Sequence, residues 1–517
     1  MSSAGAPAAL PPMTGTALAV TSIALALGTF MQVLDTSVAN VALPTIAGNL
    51  GVSTDQATWV ITSFSVANGV AVPLTGWLMG RFGVVRVFVF SVLLFTAASF
   101  LCGAAWSLNS LVGFRLLQGA VSGPLMPGSQ ALLISIFPAR SRSAALGIWS
   151  ITTLVAPVLG PILGGYISDN YDWGWIFFIN VPVGLLCGYV CWHNLAKRET
   201  QTRKLPIDVM GVMLLVIWVG ALQVMLDTGK DADWFSSPQI VLLGLTALIG
   251  CAVFVVWELS ERYPVVDLSL LGKRNFAFGT ISFCLGYAVF FGNIVLLPLW
   301  LQTQLGYTAT WAGLVSAPSG VVAVVLTPLF ARFMGNMDAR IGATIAFVAF
   351  AISYFMRAGL TADASFGDFV MPLLVQGIAM SVFFVAMINI SLDGIEPARI
   401  PSASGISNFA RITAGGFAAS VTTTFWDRRE ALHQTRLVET FTAFNPQMRQ
   451  ALAQLHALGI PVTQSYALLL RNLVNQAYLL AADDLFWISG WASVAMLGLV
   501  WLARRSIPGG TVHAAAD

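Results

Sequence analysis

Long apolar runs alternate with short polar breaks along this chain from residue 16 to residue 503. A membrane-crossing helix needs about 20 predominantly apolar residues. By that measure the pattern predicts fourteen spans, at 16–43, 57–79, 84–105, 109–136, 144–167, 175–194, 207–227, 239–259, 276–301, 310–331, 340–358, 369–392, 402–426 and 485–503. One break is long, 427–484. The stretches "REALHQTRLVETF", "QMRQALAQLHALGI" and "SYALLLRNLVNQAYLLAADDLFW", in or overlapping it, keep a helical period, so it reads as a folded element rather than a tether.

Composition agrees with the pattern. The 517 residues are 57% hydrophobic and 9% charged, with a mean hydropathy of +0.80, against roughly 25% charged residues in soluble domains. A chain of this kind is an all-α polytopic membrane protein. A net charge of +2 says nothing about nucleic acid, no basic cluster suggests it, and none is expected as a partner. The five cysteines, Cys102, Cys187, Cys191, Cys251 and Cys284, fall inside apolar runs and read as small core residues rather than a disulfide framework. The N-terminus lacks the basic region and cleavage site of a signal peptide, so the first run stays as a span.

The basic residues orient the spans. Alternate loops and the C-terminal tail hold sixteen, from Arg81 and Arg86 to Arg504 and Arg505. The short loops of the other side hold two, Lys230 and Arg357. Positive loops stay cytoplasmic, so both termini are expected inside and 427–484 outside.

The chain also repeats itself. "ATW" at 57–59 opens a span ending "LTGWLMGRFG", and "ATW" at 309–311 opens one ending "LTPLFARFMG"; "LQG" at 117–119 is echoed by "VQG" at 375–377. The offsets are 252 and 258, in the same direction. The surplus over a six-span half matches two spans, which predicts a 6+2+6 plan. It comprises a tail (1–15), an N-terminal bundle (16–194), a linker with two inserted spans (195–274), a C-terminal bundle that includes the outer segment (275–503) and a second tail (504–517). Parallel six-span halves are the architecture of the major facilitator fold.

"FMQVLDTSVANVALP" (30–44) carries a single full charge, Asp35, inside an apolar helix. An aspartate in hydrocarbon costs several kcal/mol without a partner or a proton. Counting inward from Pro44, Asp35 lies roughly 13 Å deep, and Arg115, seven residues into the fourth span, roughly 10 Å deep. Opposite charges at one depth are expected to pair. Arg115, Gln118 and Ser122 share one helical face, as do Gln32 and Asp35, and facing polar stripes suggest a wet cavity. Burial favours a neutral acid and a nearby guanidinium favours the carboxylate. Movement between the two would load and unload a proton, while arginine keeps its own. A structural ion pair is the plainer reading, but Leu373 stands at the repeat position of Arg115 and the ninth span has no acid.

In the second half, Gln376, Met380, Phe383, Phe384 and Met387 recur at helical spacing, with Tyr287 and Phe291 in the ninth span. Such a stripe is either core or, facing a cavity, an adaptable surface for lipophilic molecules. Arg411 has no obvious acid on its own span, and either attracts anions or clamps helix ends. No G-x-x-x-x-G-K-[ST] loop occurs, which excludes an ATP-driven pump of that type. His193, His433, His456 and His513 show no ligand spacing, so neither a metal nor an enzyme is expected.

Four motifs in order carry a resemblance. "LDTSVANVALP" (34–44), "LVGFRLLQGA" (111–120), "APVLGPILGG" (156–165) and "WGWIFFINVPVG" (173–184) resemble the first, fourth, fifth and sixth spans of fourteen-span drug:proton antiporters of the major facilitator superfamily. The match covers essentially the whole chain and is nearest to pump subunits of tripartite multidrug efflux systems. The resemblance implies export of lipophilic toxic compounds in exchange for protons across the inner membrane of a Gram-negative bacterium. It implies no cofactor beyond the proton gradient, and as partners a periplasmic membrane-fusion adaptor protein and an outer-membrane channel. An uptake carrier of the same fold is the alternative. The superfamily loop after the second span usually reads G-x-L-x-D-R-x-G-R-K; here it is "GWLMGRFGVV", which keeps Gly76, Arg81 and Gly83 but has Gly80 for the aspartate and Val84 and Val85 for the basic pair. In the fifth-span motif, Gly160, Gly164 and Gly165 admit a close neighbour, and Pro157 and Pro161 each remove a backbone donor and bend the helix.

Overall fold

The computed structural model describes residues 11–138, 141–202, 206–334, 337–361, 364–439, 442 and 445–506. No strand occurs among them. The first part of the chain forms α1 (Gly15–Leu50), α2 (Thr54–Ala57), α3 (Trp59–Ala71), α4 (Thr75–Phe82), α5 (Val84–Gly103), α6 (Leu108–Ser122), α7 (Leu125–Ile136), α8 (Arg142–Asn170), α9 (Trp175–Phe178) and α10 (Asn180–Leu195). Two helices follow, α11 (Val209–Thr228) and α12 (Pro238–Ser260). The second part forms α13 (Arg274–Thr303), α14 (Ala309–Met334), α15 (Ala339–Arg357), α16 (Phe366–Leu392), α17 (Ile400–Val438), α18 (Pro446–Ala457) and α19 (Val462–Trp501). Arg140, Arg203, Lys204 and His513 lie outside the described residues, as do parts of both tails.

Among the described residues ten helices are long and apolar enough to cross a membrane, and twelve if two bent pairs each count as one span. One pair is α3 with α4, bent by 56°; the other lies within α8, bent by 42° between Arg142–Pro157 and Ile162–Ser168. The two remaining expected spans correspond to α6 with α7 and to α17. These elements carry the buried cations Arg115 and Arg411 together with buried amides and hydroxyls, which dilute the apolar run. α6 and α7 are also short, 15 and 12 residues, because the helix is interrupted at Gly123 and Pro124.

α1 departs from the expected length. Pro44 does not end it: the helix continues to Leu50 and stops at Gly51, whose φ of +66° is a left-handed cap suited to glycine. Asp35 therefore sits near the middle of a 36-residue helix rather than near its end.

Helix pairing sets the frame. α1 packs on α8 and α10, and α3 on α6; in the second part α13 packs on α17, and α16 on α14 and α15. The parts meet where α8 lies against α14 and α16, and where α17 lies against α4 and α7. α11 packs on α12 and α3 and touches α17. Lipid tails are as apolar as leucine, so such contacts are held by close packing and hydrogen bonds.

Candidate functional site

Asp35 and Arg115 meet. Arg115 Nη1 lies 2.5 Å from Asp35 Oδ2, with both side chains fully buried. The carboxylate accepts two further hydrogen bonds on Oδ1, from Gln118 Nε2 at 3.0 Å and Asn180 Nδ2 at 2.9 Å. Four helices build this: α1 supplies the acid, α6 the arginine and Gln118, α10 the asparagine, and α3 the carbonyl of Val60, which accepts from Arg115 Nε at 3.0 Å. Arg115 Nη1 also donates to Gln118 Oε1 at 2.7 Å. The guanidinium rests over Phe64, 4.2 Å from the ring centroid, with Phe177 at 5.6 Å. Asn180 is itself fixed, donating to Ser99 Oγ at 3.0 Å.

The chemistry follows from that shell. Every bond the carboxylate makes is to a donor, which suits its ionised form and leaves no acceptor for a carboxylic O–H. Protonation would remove the attraction to Arg115 and set an O–H against three donors. Within the Arg115 guanidinium, Nη2 has no hydrogen-bond partner among the described residues. The wet cavity expected between the polar stripes is not what is seen: Arg115, Gln118 and Ser122 have no solvent exposure and Gln32 has 3%. Phe64 and Phe177 pack against the guanidinium instead. Gln32 lies one turn from Asp35, but its Oε1 has no partner. Ser122 joins α3 instead, accepting from Asn68 Nδ2 at 2.7 Å. Asn180, Ser99 and Asn68 were not singled out from sequence. Asn180 had a signal, an amide within "FFINVPVG", at the mouth of an apolar helix.

The second-half candidates divide. Met380, Phe383, Phe384 and Met387 are buried core, with Phe383 packed edge-on to Phe347 and Phe350 and tilted against Phe283. Gln376 does not face a cavity either; its Oε1 accepts from Arg357. Arg357 was assigned to an outer loop, yet it is fully buried, donating to Ser353 Oγ at 3.1 Å and lying over Tyr354 and Phe486. Its side chain turns back into the bundle from the last residue of α15.

Arg411 faces the junction between the parts. Its Nη2 donates to Asn408 Oδ1 at 3.1 Å and contacts Met126 Sδ of α7 at 3.4 Å. Asn408 Nδ2 in turn donates to Gln130 Oε1, also on α7, at 3.1 Å. The guanidinium lies 4.6 Å from the centroid of Tyr287, which stacks on Phe291. Its Nε is buried and unpartnered, and no ion pair to it occurs among the described residues.

The two motif loops show how the halves approach. A Cβ on Gly76 would fall 2.8 Å from Ser402 Cα of α17, so this glycine lets α4 touch the other half. Gly80, in the place of the family's aspartate, has nothing within 4 Å. Gly83 turns the chain with φ +99°, and Glu199 from the linker accepts the amide hydrogens of Val85 and Arg86 at 3.0 and 2.9 Å. Arg81 lies over Trp77 and Phe82. Gly160 and Gly164 bring α8 onto Ser37 and Val38 of α1, whereas Gly165 meets nothing within 4 Å and has no close neighbour to admit. The bend in α8 falls between Pro157 and Ile162; the Pro161 side chain lies outside the described residues.

The outer segment is helical, as its periodicity suggests, but mostly as extensions of its flanking spans: α17 runs on to Val438 and α19 begins at Val462, with α18 between them. Trp426 Nε1 donates to the Tyr478 carbonyl at 3.0 Å, and Asp484 holds both Arg429 Nε and His433 Nε2 at 2.7 Å.

Comparison with known proteins agrees with this arrangement. The family model described as Major Facilitator Superfamily matches residues 25–420. The multidrug export protein EmrB of Escherichia coli is 47% identical over 95% of this chain and 96% of its own. The fatty acid resistance protein FarB of Neisseria gonorrhoeae is 46% identical over 96% and 97%. Among solved structures, the human organic anion transporter MFSD10 aligns over 93% of this chain and 99% of its own, with a TM-score of 0.58 at 12% identity. A double-tryptophan mutant of XylE aligns over 95% and 96%, with a TM-score of 0.59 at 15% identity. These two likenesses speak to the fold. With ten or more apolar helices and a superfamily match over most of its length, this multi-pass membrane protein belongs to the major facilitator superfamily, in the company of the EmrB multidrug export proteins.

Proposed function

We propose that this protein is a proton-driven multidrug efflux antiporter, with Asp35 as the group that takes up and releases the proton and Arg115 as its fixed counter-charge. The observation that carries the reading is the shell of donors around one buried carboxylate. It suits the ionised acid, so proton uptake requires α1, α6 and α10 to separate. That coupling of a proton to helix separation is what an antiporter needs.

The remaining roles follow from position. Arg411, an uncompensated guanidinium over aromatic faces between the halves, receives the acidic group of lipophilic acids, with Tyr287 and Phe291 beside it. The relative FarB, named for fatty acid resistance, supports this class of substrate. The arrangement is 6+2+6 in the inner membrane, with both termini cytoplasmic. The outer element exposes Leu432, Val438, Leu458, Val462 and Leu470, a surface suited to a membrane-fusion adaptor of the EmrA type that passes drug to an outer-membrane channel.

Asp35→Asn in proteoliposomes tests the central claim. The variant is expected to insert and to bind drug, but to release no protons when drug is added. Normal drug-induced proton release by that variant would end the assignment.

A further inference from the structure

Where α11 ends, it and its connection to α12 reach α17 through three polar contacts. Ser420 Oγ donates to the Leu226 carbonyl at 2.6 Å, Trp234 Nε1 donates to Thr424 Oγ1 at 2.8 Å, and Lys230 Nζ lies 2.9 Å from Asp427 Oδ2. Ser420, Thr424 and Asp427 follow at intervals of four and three residues, so one face of α17 makes all three contacts. We infer that this connection is a latch between the halves: it clips α17 to α11 in the state seen here and must open for the halves to alternate.

α11 moves with the first half. A Cβ on Gly69 of α3 would fall 3.0 Å from Val219 Cγ1, and one on Gly220 would fall 3.8 Å from Val66 Cγ1, so α11 and α3 pack closely over their middle turns. α17 is held in the second half by α13 and α19. Alternating access is a rocking of one half against the other, and a rotation of that kind displaces helix ends more than middles. Near its middle, α11 meets α17 through Trp218 and Phe409, whose rings lie edge to face at 5.7 Å. That apolar contact is non-directional and can slide. The three polar contacts at the end have fixed geometry and must break.

The connection suits release rather than permanent strength. The Lys230 and Asp427 side chains are 40% and 41% exposed, so water takes over both charges when they part. The loop also holds strained backbone. Asp233 and Trp234 have φ of +52° and +51°, left-handed values that aspartate tolerates and a bulky side chain seldom adopts. The Trp234 ring is seated against Gly229, where a Cβ would come within 2.8 Å of it, and the Trp234 amide donates to the Gly229 carbonyl at 2.7 Å. Such a conformation persists only while its surroundings hold it. Thr424, on the other half, is one of the groups that hold it, so the strain favours opening.

The latch rests on alternation of the halves and not on the role given to Asp35, so its test is dye counterflow in proteoliposomes, which needs alternation without net proton movement. In full-length Lys230→Cys/Asp427→Cys, a short bifunctional methanethiosulfonate joins the two thiols across the latch, and a thiol reductant separates them. Counterflow should fall at least tenfold on cross-linking and return on reduction. The parent and each single cysteine variant, treated alike, should keep their rates, since the native cysteines are buried or half-buried. Trp234→Phe keeps a ring but loses the indole donor. It should lower occupancy of the latched state about fivefold, the worth of one hydrogen bond, read as faster amide hydrogen exchange in 229–237 with counterflow retained. Parental counterflow in the cross-linked protein, or unchanged exchange in Trp234→Phe, would overturn the latch. A parent that shows counterflow arrested by the cross-link, but no drug-induced proton release, would support the latch while ending the Asp35 assignment.

Discussion

Gly160→Ala offers a severe steric test of how the first half is held together. The added Cβ would sit 2.1 Å from Ser37 Oγ, 2.4 Å from Ser37 Cβ and 3.2 Å from the Ser37 carbonyl carbon. Carbon atoms rest about 3.5–4.0 Å apart, so α8 must withdraw from α1 by roughly 1 Å or more. Overpacking of that kind costs about 1–3 kcal/mol, set against a gain of up to about 1 kcal/mol from replacing glycine in a helix. The withdrawal is felt at once by Asp35, two residues before Ser37 on the same helix. Gly160→Ala should therefore lower Tm in detergent and reduce proton-linked dye transport in proteoliposomes. A second substitution separates sterics from a general effect. Ser37→Gly removes the two nearest atoms and leaves the closest approach at 3.2 Å, so the double variant should recover most of the loss. Ser37→Ala removes only Oγ, and the Cβ contact remains, so it should not. Gly165→Ala, with no atom within 4 Å, is the neutral control. The reasoning fails if Gly160→Ala matches the parent, if Ser37→Ala rescues as fully as Ser37→Gly, or if Gly165→Ala does comparable harm.

Arg115→Lys should lose coupled transport, because an ammonium cannot serve Asp35, Gln118 and the Val60 carbonyl from one planar fork; parental transport rates in proteoliposomes would reduce Arg115 to a point charge. Asn180→Leu removes a donor from the carboxylate, and a hydrogen bond to a charged group is worth about 1.5–3 kcal/mol. Coupled transport in proteoliposomes should fall about tenfold or more by that loss, and a parental rate would take Asn180 out of the site. Arg411→Gln should raise KM for lipophilic acids at least tenfold while sparing neutral and cationic drugs, a split read from competition assays; an equal loss for all classes would mark Arg411 as a helix clamp. Replacing residues 430–475 by a short Gly/Ser linker should leave vesicle transport intact and abolish co-purification with the adaptor and whole-cell resistance; unchanged adaptor binding would put the docking surface on the spans.

Much of this was legible before any coordinates, and the reasons differ by residue. Asp35 and Arg115 could be paired from depth alone, because an ion in hydrocarbon has few affordable partners. Gln118 followed from lying three residues beyond Arg115 on the same face. Asn180 could not be paired that way, since one amide in an apolar helix gives no charge to match and its distance in sequence from Asp35 is 145 residues. The end of α1 was misread for a local reason: Pro44 signals a break, but here the helix continues through it to a glycine cap at Gly51. Arg357 was misread by a charge rule. It counts as a loop cation by position, but a long side chain at a helix end can fold inward where rings and hydroxyls receive it. The closed state of the Asp35 site was illegible in principle, since a polar stripe looks the same whether it faces water or another polar stripe.

The repeat shows what stands in the second half at the position of Asp35. The offset of 258 that aligns "LQG" with "VQG" sets Asp35 against Asn293, Ser99 against Arg357 and Gln118 against Gln376. The second half therefore keeps an arginine–glutamine pair, Arg357 with Gln376, but takes its arginine from the neighbouring helix, α15 rather than α16. In place of the carboxylate stands Asn293, which donates to Ser489 Oγ at 2.9 Å and to the Val289 carbonyl at 2.7 Å. An amide fills the same volume as an aspartate and joins helices by hydrogen bonds, yet it cannot take up a proton. Each half thus carries buried polar residues at these repeat positions, with a carboxylate in the first and an amide in the second. On the reading proposed above, proton exchange belongs to the first half, while the second offers Arg411, a buried cation with no carboxylate paired to it among the described residues. Energy input and acid recognition then sit on opposite sides of the α7–α17 contact, where Gln130 and Met126 reach Asn408 and Arg411. A displacement of α7 relative to α17 would have to break those contacts, which gives the proton's work a direct route to the guanidinium.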